Sequence, residues 1–92
     1  MREITKGIKE MARLGFALTT SKDNEYLVRR FVKHDERGII THAINYYYIE
    51  GIGVNVFTND IKNGKGFRID TALLNAIELN FYELKNQYEK EV

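Results

Sequence analysis

The strongest constraint on this chain is a set of strand-forming segments, separated by two short glycine-bearing turns, across residues 26–57. "YLVRRFVKH" (26–34) and "IITHAINYYYI" (39–49) flank "DERG", and "EGI" at 50–52 leads into "GVNVF". β-Branched and aromatic residues dominate these segments and pack best on a pleated, half-buried surface. Consecutive strands joined by such short turns pair antiparallel, because parallel strands need a long crossover. An antiparallel sheet is therefore expected at the centre of the molecule.

Turn chemistry predicts the register. With Glu36, Arg37 and Gly38 as a three-residue loop and Gly38 in the left-handed position, Asp35 faces Ile39. Val32 then faces His42, Val28 faces Tyr46, and Tyr26 faces Tyr48. A matching turn at Glu50–Ile52 pairs Tyr48 with Val54 and Tyr46 with Val56. Side chains alternate across a strand, so Val28, Val32, Ile40, Ile44, Tyr46 and Tyr48 share one face. The other carries Leu27, Arg29, Phe31, Lys33, Thr41, Ala43, Asn45 and Tyr47, joined by Asn55 and Phe57. A slip of one residue would exchange the two sets.

Helices are expected at both ends. Ile4, Ile8, Met11 and Ala12 lie on one side of a helix over residues 3–14, with Gly15 suited to the position after its end. Gly7 weakens that helix by up to about 1 kcal/mol. "FALTT" (16–20) reads as a short strand. "NG" at 63–64 is a hairpin signal, which makes "FRI" (67–69) a further short strand. Asp70 caps a helix from 71 to about 90. Its apolar residues Leu74, Ile77, Phe81, Leu84 and Tyr88 recur every three or four positions, a stripe suited to covering the first sheet face. Ala72, Ala76, Leu79 and Tyr82 fall on the opposite side, too apolar a group for a fully solvated back, so either the first helix or another chain is expected to pack there.

The expected fold is a single α+β domain over residues 1–92. An antiparallel sheet of three to five strands, in the order α-β-β-β-β-α, is covered on one face by the long C-terminal helix. A chain this short buries only about 60–65% of its unfolded surface, so a partner subunit would help it.

Composition removes several function classes. The formal net charge is +1, neither the basic excess of a protein held by many phosphates nor the acidic excess of a nucleic-acid mimic. Cysteine is absent, which excludes disulfides, thiolate catalysis and thiolate metal sites. No apolar run reaches membrane-spanning length and "MREITKGIKE" is too polar for a secretory signal, so a cytoplasmic location is expected. Proline, cysteine and tryptophan are missing while Ile, Asn, Lys and Tyr abound, a bias that points to AT-rich coding and to a low-GC bacterium, phage or plasmid as the source.

Four constellations bear on chemistry. Tyr47, Phe31, Phe57, Arg29, Lys33 and Asn45 form a mixed aromatic and basic set on the open sheet face. Such a set suits a protein interface or, as the alternative, stacking of single-stranded nucleic acid. Ala76, Leu79 and Tyr82 on the helix back are candidates for self-association. Lys62, Lys65 and Arg68 in "KNGKGFR" could hold an anion, although the phosphate-loop spacing is missing and Asp70 opposes it. His34 and His42 fall on one face but find no third ligand, so no metal site is expected. Ser21 has no histidine nearby in sequence, and no nucleotide fingerprint exists, so neither an active site nor a cofactor is expected.

The order helix, antiparallel strands, long C-terminal helix resembles the double-stranded RNA-binding domain in outline. The segment comparable to that family's phosphate-gripping helix start is "GKGFRIDTALLNAI". The paired lysines of the family would fall on Ile69 and Asp70, an apolar residue and a carboxylate, which cannot perform that task. The resemblance is therefore one of architecture, which does not carry function. The functional expectation is a non-enzymatic binding module with a protein partner, an anti-CRISPR-like inhibitor of a host defence enzyme. A nucleic-acid-binding regulator using the same face is the alternative, and a homodimer through either patch would relieve the small core.

Overall fold

A computed structural model describes residues 4–20, 24–64 and 67–89. It shows α1 (Lys6–Arg13), β1 (Ala17–Thr19), β2 (Leu27–His34), β3 (Ile40–Ile49), β4 (Gly53–Asp60) and α2 (Thr71–Tyr88) in chain order. The strands form one four-stranded antiparallel sheet in sequential order.

Local signals account for the element ends. The Thr5 hydroxyl accepts from the Ile8 N–H at 3.2 Å and starts α1. Gly15, with φ of +88°, turns the chain away after it, a conformation that costs glycine nothing. The Asp70 carboxylate accepts from the Leu73 N–H at 2.8 Å and starts α2, as the capping signal predicts. The expected strand at 67–69 does not form: Phe67, Arg68 and Ile69 run as irregular chain into α2. The "NG" signal makes a turn, the Gly64 N–H donating to the Asp60 carbonyl at 2.6 Å.

Both turns between the long strands follow the expected geometry. Asp35 N–H donates to the Ile39 carbonyl at 2.9 Å around Gly38, whose φ is +81°. Beyond Glu50–Ile52, Tyr48 pairs with Val54 and Tyr46 with Val56. Between the two ends of the β2–β3 hairpin, however, the register departs from expectation. Thr41 bulges from β3, so His34 pairs with Ile40 but Lys33 with His42; Phe31 then pairs with Ile44 and Arg29 with Tyr46. Val28 bulges from β2, and the expected pairing of Leu27 with Tyr47 and of Tyr26 with Tyr48 is restored. The two bulges, one on each strand, cancel.

The central stretch of β2 is consequently turned over. Arg29 and Phe31 lie beneath the helices, and Val32, expected there, lies on the other face opposite Ala43. The exchange places a phenylalanine rather than a valine at the centre of the core. Phe31 is fully buried and meets the Tyr46 ring edge-on at 6.1 Å, an arrangement favourable to aromatic pairs.

The helices share one sheet face. Tyr46 is fully buried and donates its hydroxyl to the Ile77 carbonyl at 2.8 Å, while Tyr48 stacks on Tyr88 with centroids 5.2 Å apart. Burial shifts the Tyr46 phenol well above its ordinary pKa. The buried stripe of α2 is Leu73, Ala76, Ile77, Asn80 and Leu84. Leu74, expected in the stripe, is 45% exposed. The helix is rotated because its centre must also meet α1.

That meeting is polar. The Asn80 amide donates to the carbonyls of Gly7 at 2.9 Å and Ala76 at 2.8 Å, and its oxygen accepts from Arg29 at 2.7 Å. Glu83 accepts from the Thr5 hydroxyl at 2.6 Å, the Gly7 N–H at 2.8 Å and Arg29 at 2.8 Å. Burial pushes the Glu83 carboxyl up, but these donors and the Arg29 charge outweigh it and hold it below the usual range. A Cβ on Gly7 would lie 2.6 Å from Glu83 Oε1 and 2.8 Å from Asn80 Cγ. Gly7 is therefore a close-approach residue, not a weak point in the helix.

Candidate functional site: the uncovered sheet face

With both helices on one side, the opposite face of the sheet carries no helix among the described residues. Strand alternation and pairing place Ala17, Thr19, Leu27, Arg30, Val32, Ala43, Asn45, Tyr47, Asn55, Phe57 and Asn59 there. Leu27, Val32 and Ala43 are buried. Tyr47 and Phe57 rise above this floor and meet edge-to-face at 5.7 Å. Phe57 is 60% exposed, and the amides of Asn45, Asn55 and Asn59 stand beside it on β3 and β4. The result is an apolar centre within a hydrogen-bonding surround that carries one cation, Arg30, opposite Asn45.

β4 is also an edge. Its amides at Val54, Val56 and Thr58 alternate with those that bond β3 and so point away from the sheet. At one end Glu89 closes this edge: its carboxylate accepts from the Val54 N–H at 2.6 Å and from Lys85 at 2.8 Å. The hydrogen bond from Lys85, then that from Val54, hold the Glu89 carboxyl below its usual range. Val56 and Thr58, flanking Phe57 in sequence, have no strand on that side among the described residues. β4 contains neither lysine nor proline, the residues that commonly blunt exposed edges.

The placement of the expected site residues divides. Asn45, Tyr47 and Phe57 lie on the uncovered face as anticipated, whereas Arg29, Phe31 and Lys33 do not. The Thr41 and Val28 bulges put these three on the helix side, where Arg29 joins the network with Glu83 and Phe31 fills the core. Lys33 lies with its ammonium 5.5 Å from the centroid of Phe16. The basic residue that replaces them is Arg30, opposite Asn45. Only alternation read from the correct register could have found it.

On the helix back, Tyr82 is 58% exposed and Leu79 half-buried, but Ala76 is buried in the core cluster and cannot join a surface patch. The correction follows from the rotation of α2 toward α1. The three residues of the proposed anion set are not seen together among the described residues. Lys62 is exposed on the turn after β4 and its charge reaches the Asp35 carboxylate, Arg68 lines a different cleft, and Lys65 lies outside the described residues. His34 and His42 are separated by the turn and the Thr41 bulge, and no group of three or more His, Asp or Glu suited to a metal occurs among the described residues. No helix among them is long and apolar enough to cross a membrane.

Compared with protein-family models, curated proteins and solved structures, the chain matches none.

Proposed function

We propose that this chain is a non-enzymatic binding module whose uncovered sheet face docks a protein partner. The observation that carries the reading is Phe57, a large ring 60% exposed with Tyr47 against it on a face that no helix covers. Aromatic anchors of this kind, set in a polar surround, dominate the energetics of protein interfaces. The neighbouring β4 edge adds backbone amides at Val56 and Thr58 that no strand pairs among the described residues, which a partner strand could extend. The charge distribution favours protein over nucleic acid, because Arg29 and Lys33 face away from this surface. The partner class reached by elimination, a host defence enzyme met by a phage or plasmid inhibitor, stays within this proposal.

The test replaces Phe57 with a photo-crosslinking phenylalanine analogue in the producing cell, with the same analogue at Tyr82 as the control. A discrete protein adduct from position 57, absent from position 82 and lost on Tyr47→Asp, is the expected result. Binding to single- or double-stranded oligonucleotides that falls steeply with salt and disappears in Arg30→Ala would instead make the face a nucleic-acid surface.

A further inference from the structure

A second surface lies on the opposite side of the sheet, and it gathers residues that the sequence scatters. Leu14 and Phe16 from the chain between α1 and β1, Lys33 of β2, His42 of β3, Phe67, Arg68 and Asp70 before α2, and Leu73 in its first turn enclose a cleft of about 340 Å³. Its walls are apolar and aromatic. Phe16 and Phe67 stand nearly parallel with centroids 6.0 Å apart, and His42 meets Phe67 edge-on at 4.8 Å.

The polar groups converge on the same opening. Lys33 reaches across Phe16, and Arg68 is exposed with no ion pair among the described residues. The one carboxylate of the lining, Asp70, is engaged in capping α2 through the Leu73 N–H. His42 is fixed by its Nδ1, 2.9 Å from the Thr41 hydroxyl, and its Nε2 lies 4.0 Å from an Asp60 oxygen. Two cations thus flank an apolar hollow against a single, occupied carboxylate. The volume falls at the lower end of ligand pockets, about 300–1,000 Å³, which suits a single-ring molecule rather than a dinucleotide.

We propose that this cleft binds a small organic anion with an aromatic body, its ring against Phe67, Leu14 and Leu73 and its charged group between Lys33 and Arg68. Charge-assisted hydrogen bonds to the anion and burial of the ring supply affinity together. The site is independent of the partner-docking face, since it lies under the helices and shares no residue with it.

The experiment is an amide NMR titration of the full chain with phenyl phosphate, with inorganic phosphate and benzyl alcohol as single-feature probes. Saturable shifts at Leu14, Phe67, Arg68 and Leu73, with none at Phe57, are expected. Each single-feature probe should bind about tenfold more weakly, because it loses one of the two contributions. Lys33→Gln and Arg68→Gln should each weaken phenyl phosphate about fivefold to tenfold, and Lys33→Arg should restore most of the loss. Absence of saturation, equal binding of inorganic phosphate, or shifts insensitive to both glutamine variants would overturn the proposal.

Discussion

Arg29→Met is the substitution that most sharply separates the observed register from the one expected of a regular hairpin. On an open face, replacing Arg29 would change stability by no more than about 0.5 kcal/mol. In the structure its side chain is only 9% exposed and donates to both Asn80 and Glu83. Methionine retains the apolar stem but leaves the Glu83 carboxylate, 20% exposed, without its cation. Removing one partner of a buried ion pair typically costs about 3–5 kcal/mol. Glu83 keeps the Thr5 and Gly7 donors and some solvent, which brings the expected loss to about 2–4 kcal/mol. At roughly 4–8 °C per kcal/mol for a domain of this size, the melting temperature should fall by about 8–30 °C. Urea unfolding followed by circular dichroism measures the difference, and a double cycle with Glu83→Gln should show coupling of about 1 kcal/mol or more. A loss below about 0.5 kcal/mol, or strictly additive effects, would refute the placement of Arg29 under α2.

Gly7→Ala should destabilise the fold by about 1–3 kcal/mol despite alanine's better helix propensity, because its Cβ would collide with Asn80 and Glu83; thermal unfolding reads this directly. Glu83 has a folded pKa below its ordinary value of 4.5, so its contribution is fully present above that value and is lost as the pH falls through the depressed one. Glu83→Gln should therefore flatten the acid limb of the stability profile below about pH 4.5, and an unchanged limb would contradict the network. Phe31→Ala should cost about 3–5 kcal/mol and Phe57→Ala less than about 1 kcal/mol, measured in parallel by urea unfolding. In light scattering, a dimer that dissociates on Tyr82→Glu would assign self-association to the back of α2, and one that dissociates on Phe57→Glu to the sheet face.

What the sequence reveals is governed by how local each signal is. The Gly38 and Gly51 turns, the Asp70 cap and the phase of the three tyrosines depend on neighbouring residues, and all stand as expected: Tyr46 and Tyr48 inside, Tyr47 outside. The bulges at Thr41 and Val28 have no such signature. Threonine and valine are ordinary strand residues, and because the bulges cancel, both ends of the hairpin keep the pairing that the turn dictates. Only the middle of β2 moves, and with it Arg29, Phe31 and Lys33. The rotation of α2 was hidden for a related reason. Asn80 occupies the centre of the buried stripe but is polar, so an apolar periodicity passes over it and favours Leu74. Its partner Gly7 reads as a defect in α1 until the second helix is placed against it. Lys33, His42 and Arg68 come together in one cleft only because the chain brings three distant segments to the same end of the sheet, which spacing cannot express.

The phase of β2 decides which residues face a partner and which hold the helices, and cross-strand backbone NOEs measure it directly. The bulged register pairs Phe31 with Ile44 and Arg29 with Tyr46, and contacts between the backbone protons of those residues are the expected result. Contacts of Phe31 with Ala43 and of Val28 with Tyr46 would restore a regular hairpin, return Arg29 and Lys33 to the open face, and contradict the assignment of both surfaces.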